Sequence, residues 1–273
     1  MIHAKQDLAA LRNQWESCQA CELGVRRFVQ KGAFVFGEGT PGGIMLIGEG
    51  PGRTEEEEGR PFVGKSGEIL RSILHGYHFT NYYITNIVGC RSCAQIIGDD
   101  GNPVFRKTKK GAAIPALRDE VPSPVQMAAC AARLYEEIYL VDPVLIVSLG
   151  VTASEFLLRR TVAITRDRGT TDTCWIPGRT HQAVLTEKKR LWERVVKGTV
   201  VRPTEQNKVK YTVIPTLHPA YVLRKLSDHG VDSPWNLLAS DIKRAIQIHD
   251  FIKDNVSPTE EREFEHDEEN TEC

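Results

Sequence analysis

Four short runs of this chain are apolar or β-branched almost without a break: residues 44–48 (IMLIG), 82–88 (YYITNIV), 144–149 (VLIVSL) and 211–217 (YTVIPTL). Each is bounded by Gly, Pro, Asn or charged residues, as strands are. A strand with one wet face alternates apolar and polar residues. A run without a polar face needs cover on both sides, as in a parallel sheet. Helical patterns lie between and after the runs, at residues 66–75, 123–141, 151–160 and 235–253. This alternation predicts an α/β fold: a three-layer α/β/α sandwich around a mainly parallel four-stranded sheet. Ligands of such sheets bind outside the carboxyl ends of the strands. The unusual residues of this chain stand there. Gly48-Glu49-Gly50-Pro51-Gly52 follows the first run, Asn86 lies near the end of the second, Gly150 follows the third and His218-Pro219 the fourth.

The 273 residues suffice for one such domain, expected over residues 1–253, with two interruptions. Residues 94–122 are polar and rich in Gly, Pro and Lys, and read as an inserted loop. Residues 166–210 contain a helical patch, TEKKRLWERVVKG, and from Lys188 to Lys210 hold eight basic against two acidic residues. A solvated helix accounts for that patch, and a phosphate-contacting arm competes with it. Residues 254–273 carry nine acidic residues and one basic, so this tail bears −8 and reads as disordered. With −1 overall, the body bears +7, a modest pointer to a polyanionic partner. No apolar stretch reaches the length of a membrane span. The first fifteen residues read as an amphipathic helix without a signal peptide's apolar centre, which predicts a cytoplasmic location. Seven cysteines, an odd number, argue against a disulfide framework and for metal or cluster ligation.

The stretch GEGPGRTEEEEGRPFVGKSG, residues 48–67, follows the first predicted strand. It contains no GxxxxGK[ST] and no GxGxxG opening a helix, so Walker and Rossmann phosphate sites are excluded. Four consecutive glutamates would also repel an anion. Together with YYITNIVGCR and TLHPAYVLR, the stretch resembles the family 4 uracil-DNA glycosylases, the branch of that superfamily that carries an iron–sulfur cluster. The likeness extends to Cys18-x-x-Cys21, LIVSLGVTA and ITRDRG, from about Leu11 to Phe251 with the two interruptions set aside.

The resemblance implies a base-flipping enzyme that hydrolyses the N-glycosidic bond of deoxyuridine. It places Phe62 as the ring that stacks on the flipped base, against the plainer reading of a core phenylalanine. Asn86 would read the uracil edge, since an amide both donates and accepts; a strand-end turn residue is the plainer reading. Glu49 and Gly50 would bring backbone groups near uracil O2. His218 would hydrogen-bond O2 as the bond to the sugar breaks, and sequence does not choose between its charged and neutral forms. A helix-cap histidine is the alternative. Glu55 would orient water, with Glu56, Glu57 and Glu58 left as a helix start or a solvated charge run. Gly50 stands where better-known superfamily members carry an Asp. Tyr221, Leu223 and Arg224 would meet DNA, with Val222 and Leu223 both open as the apolar wedge.

Cys18, Cys21, Cys90 and Cys130 match the family's ligands for a [4Fe–4S] cluster, although thiolates alone suit zinc as well. The separation of Cys90 from Cys130 exceeds the family pattern, and the extra residues must loop out. Cys93 competes with Cys90 for the third position. Cys174 and Cys273 are expected to be plain thiols. The expected partner is uracil-containing DNA, bound by a monomer without a membrane. Two rivals are a non-catalytic protein that binds uracil-containing or single-stranded DNA, and a metal-dependent nucleotide hydrolase.

Overall fold

The computed structural model describes residues 2–107, 111, 113–177 and 208–255. The basic patch at 186–198, most of the acidic tail and Cys273 lie outside the described residues. The helices are α1 (Ile2–Trp15), α2 (Glu22–Gln30), α3 (Arg53–Glu58), α4 (Lys65–Gly76), α5 (Pro124–Val141), α6 (Val151–Leu158), α7 (Ile164–Asp167), α8 (Pro219–Arg224) and α9 (Pro234–Asn255). The central strands are β2 (Ile44–Gly48), β3 (Tyr82–Asn86), β8 (Leu145–Leu149) and β10 (Lys208–Thr216). They are parallel to their neighbours in the order β3-β2-β8-β10, as the four apolar runs predict.

The sheet is wider than four strands. β1 (Glu38–Gly39) adds antiparallel to β3, and β9 (Asp172–Pro177) adds antiparallel to β10. Both additions escape sequence patterning for physical reasons. β1 is two residues long. β9 lies in the second interruption, and its residues alternate in burial as an edge strand's do, without a continuous apolar run. The first interruption forms two small ribbons: β4 (Cys93–Gln95) against β7 (Leu117–Asp119), and β5 (Phe105–Lys107) against β6 (Ala113–Pro115).

Alternate residues of each central strand feed opposite cores. Met45, Ile47, Ile146 and Val213 join Leu11, Trp15, Leu134, Ile138 and Leu157 from α1, α5 and α6. Ile44, Leu46, Leu145, Val147 and Ile214 join Leu70, Leu74, Val222, Leu238 and Ile242 from α4, α8 and α9. Both sheet faces are therefore dry, which explains why the runs are mostly apolar, with buried exceptions such as Thr85, Asn86, Ser148 and Thr216. α5 starts sharply because Pro124 opens it, Ser123 Oγ accepts from Gln126 N–H, and Gln126 Oε1 accepts from Ser123 N–H. This reciprocal cap stabilises a helix start by about 1 kcal/mol. No described helix is long and apolar enough to cross a membrane.

Candidate active site

The ends of β2, β3 and β10 gather Phe62, Asn86 and His218 about one point. Asn86 closes β3 and lies opposite Gly48, the last residue of β2. A methyl group on Gly48 would sit 2.4 Å from Asn86 Oδ1 and 2.6 Å from Phe62 Cζ. The missing side chain thus lets an amide and an aromatic ring converge over bare backbone. The Phe62 and His218 rings lie 6.2 Å apart between centroids. Asn86 is 3% exposed, and its Oδ1 has no hydrogen-bond partner. A sealed acceptor without a donor costs free energy that a ligand N–H would recover.

Phe62 has a left-handed backbone, φ 53°. That conformation is strained for a residue with a side chain, by about 1–3 kcal/mol. Arg71 holds it in place: its Nε donates to Phe62 O and its Nη2 to Pro61 O, both at 3.0 Å. Glu38 Oε1 anchors the same guanidinium at 2.6 Å. Gly67 completes the seat, because any Cβ there would strike the Phe62 carbonyl.

His218 is the N-cap of α8 and is half-buried. Its Nδ1 accepts from Ala220 N–H at 3.1 Å. Desolvation, helped by the Arg224 guanidinium, lowers its pKa to about 4. The ring is therefore neutral at neutral pH. With Nδ1 accepting, its proton sits on Nε2, which is free to donate. The plain cap reading holds, and the cap also selects the tautomer. Gly150 leaves room for this ring, since a Cβ on its positive-φ backbone would lie 2.9 Å from His218 Cβ.

The carboxylates divide. Glu49 accepts from Thr152 Oγ1 at 2.6 Å, and burial raises its pKa above the ordinary carboxylate range. Glu55 is buried, and its Oε1 accepts from Gly64 N–H at 3.1 Å while Oε2 faces Gly52. It thereby braces the two loops that bracket Phe62, and no described bond joins it to Asn86 or His218. Glu56 pairs with Arg26 at 2.8 Å, whereas Glu57 and Glu58 are exposed. The glutamate run is one short helix with a buried and a wet side. In α8, Val222 is wholly buried, Leu223 is half-buried, and Tyr221 and Arg224 are exposed. Burial removes Val222 from the choice of wedge and leaves Leu223.

The cysteines cluster on the opposite face of the sheet. Cys18, Cys21, Cys90 and Cys130 share one core with α1 and α5. Burial, then the neighbouring Cys130, pushes the Cys90 thiol up to about 12; burial also raises Cys21, which feels Cys130 as well. Cys93 is surrounded instead by Arg26, Arg91, Glu56 and Asp119, with no cysteine among its charged neighbours. Cys174 is a buried thiol on β9, raised to about 12 by desolvation. Among the described residues, no three His, Cys, Asp or Glu side chains gather tightly enough to hold a metal ion. Arg27, 4% exposed, reaches the Cys18 carbonyl at 3.0 Å and lies beside the Cys90 thiol, its Nε is unpartnered, and no described carboxylate pairs with it. A buried cation without a counter-ion suits a negatively charged cluster of thiolates.

Sequence reasoning missed Arg71 and Arg133. Arg133 is fully buried in α5 and donates to the carbonyls of Asn86 and Ile87. Neither arginine stands in a recognisable motif. For Arg133 the signal in the sequence was the opposite charge of Glu137 four residues on, within a mostly apolar helix. Two surface depressions lie elsewhere, one beside Asn13, Ser17 and Phe28 and one beside Glu38 and Thr80.

A model of the uracil DNA glycosylase superfamily matches residues 36–239, a span that holds Phe62, Asn86, Cys90, Cys130 and His218 and begins after Cys21. Similar proteins include the Type-4 uracil-DNA glycosylase of Thermotoga maritima, 30% identical over 217 residues that cover 78% of this chain and 81% of that protein. The Type-4 uracil-DNA glycosylase of Pyrobaculum aerophilum is 28% identical over 227 residues, covering 82% of this chain and 88% of its own. That of Sulfurisphaera tokodaii is 30% identical over 157 residues, 56% of this chain and 59% of its own.

Proposed function

The chain belongs to the uracil DNA glycosylase superfamily, and from that premise we propose that it excises uracil from DNA by hydrolysis, leaving an abasic site. The observation that carries the reading is the buried, unpartnered Asn86 Oδ1 beside the Phe62 ring. Uracil N3–H supplies the missing donor, the Asn86 amide donates to O4, and the ring of Phe62 lies against the base. As the C1′–N1 bond breaks, its electron pair stays with the base and spreads onto O2. The neutral His218 donates from Nε2 to that oxygen. One preorganised donor of this kind lowers a barrier by about 3–4 kcal/mol. Backbone groups of Glu49 and Gly50 flank the same edge. The sugar is left with cationic character at C1′, where water adds. Glu55, with Oε2 facing the Gly52 loop, orients that water and takes its proton. The proton taken from water returns through solvent to the uracil anion, which restores Glu55, so the products are free uracil and a sugar hydroxyl, and no lysine is assigned a Schiff base.

Tyr221, Leu223 and Arg224 project from α8 beside the site: Leu223 fills the gap in the base stack and Arg224 meets a phosphate. Cys18, Cys21, Cys90 and Cys130 would hold a [4Fe–4S] cluster, whose part would be structural, tying together the start of α2, the loop after β3 and α5, with no electron transfer required by the hydrolysis. The protein acts as a monomer, with residues 94–122 and 166–210 as insertions in one domain. The test is to incubate the protein with a uracil-containing oligonucleotide and then with alkali. Cleavage at the uracil position is expected, with sharp losses in Asn86→Ala and His218→Ala. Strands that stay intact with the wild-type protein would overturn the proposal.

A further inference from the structure

Asn86 is the last residue of β3, and beyond it the pairing with the β2 side thins to single backbone bonds, among them Val88 N–H to Glu49 O at 3.3 Å. Ile87 N–H donates to Gly48 O at 2.9 Å, which ties the outer side of this exit to β2. Arg133 ties the inner side. Its fork is divided between two tasks. Nη1 donates to Glu137 Oε2 at 2.5 Å and to Thr85 Oγ1 at 3.3 Å. Nη2 donates to the carbonyls of Asn86 at 2.8 Å and Ile87 at 2.6 Å. Glu137 is itself held by Gly37 N–H at 2.9 Å, Tyr83 OH at 2.8 Å and Thr85 Oγ1 at 2.9 Å.

Stability alone does not account for this pair. Both side chains are sealed from water, at 0% and 1% exposure. Desolvating two ions costs several kcal/mol each, and well-packed apolar replacements are often as stable. Arg133 Nε is also left buried without a partner. What an apolar pair would not supply is a donor for two successive carbonyls at the point where the recognition residue leaves the sheet. A lysine would not supply it either while also meeting the carboxylate, because its single ammonium lacks the two-armed fork.

We propose that Arg133, balanced by Glu137, is a positioning residue for base recognition, holding the Asn86 backbone so that its amide stays at one depth in the pocket. This rests on the glycosylase reading. The test is a double-mutant cycle between Arg133→Met/Glu137→Gln and Asn86→Ala. The first variant removes the ion pair without leaving a lone buried charge. The probe is an oligonucleotide carrying 2′-fluoro-2′-deoxyuridine, which is slow to hydrolyse, with Kd and Tm measured for every variant. In the wild-type background the paired substitution is expected to weaken binding about tenfold, at a Tm close to wild type. In the Asn86→Ala background the loss is expected to be less than twofold. An equal loss in both backgrounds, or none in either, overturns the proposal. Should the paired variant not fold, Arg133→Lys goes through the same cycle under the same criteria. Failure of the wild-type protein to bind and excise uracil would sink the glycosylase reading instead. Normal excision without coupling sinks only the role of Arg133.

Discussion

Lowering the pH toward 4 titrates His218, the imidazole proposed to meet the departing base. In the folded protein His218 has a pKa of about 4, set first by desolvation and then by Arg224. In an unfolded chain it returns to about 6.5. The sign follows from proton counting. Above about pH 6.5 the residue is neutral in both states and contributes no pH dependence. As pH falls through 6.5 the unfolded chain binds a proton that the folded protein refuses, so stability is lost until about pH 4, where both states are charged. The full difference of about 2.5 units corresponds to about 3 kcal/mol, of which about 2 kcal/mol is lost by pH 5. The same number predicts the activity profile. The neutral Nε2 donor persists at pH 5, so His218 should add no acid limb to excision above that point. The assay has two arms. One is a nuclear magnetic resonance titration of the His218 ring, with excision rates measured between pH 4.5 and 8. The other is urea unfolding at pH 7 and pH 5 for wild type and His218→Gln, where the variant should lose about 2 kcal/mol less between the two conditions. An imidazole titrating near 6.5, or an excision limb near 6.5 that vanishes in the variant, would refute the buried neutral donor.

Three further outcomes are expected. Gly48→Ala pushes a methyl against Asn86 Oδ1 and Phe62 Cζ, at 2.4 and 2.6 Å before relaxation, and should cut excision about 100-fold or more; Gly76→Ala, with nothing within 4 Å, is the control that should leave the rate unchanged. Cys90→Ser should lose iron and the absorbance of the cluster, whereas Cys93→Ser should retain both, as measured by metal analysis of purified protein. Arg224→Ala should weaken DNA binding regardless of sequence and lower the slope of log Kd against log salt concentration by about 0.9, read from titrations at several salt concentrations.

The strands and the pocket were legible to different degrees. Apolar runs such as IMLIG announced themselves because two dry sheet faces leave little room for polar residues. β1 and β9 did not, because edge strands half-exposed to solvent carry no such pattern. Phe62, Asn86 and His218 could be named from their motifs, yet their convergence depends on Gly48, whose importance is an absence of atoms. The charge on His218 was beyond reach, since it follows from desolvation and the nearby Arg224 guanidinium. Arg71 and Arg133 were hidden for a deeper reason. Besides their carboxylate partners Glu38 and Glu137, they act on carbonyl oxygens that every residue possesses, so no residue type marks the positions they hold.

Cys130, Arg133 and Glu137 occur at spacings of three and four along α5 and so share one side of it. Each residue of an α-helix turns the chain by about 100°. Inserting or deleting a single residue between 130 and 133 would therefore swing the thiol away from the guanidinium and carboxylate, and one between 133 and 137 would swing the carboxylate away from the other two, even if every side chain were kept. Length variation in this helix is tolerable only outside that interval, where slippage leaves the three groups in phase.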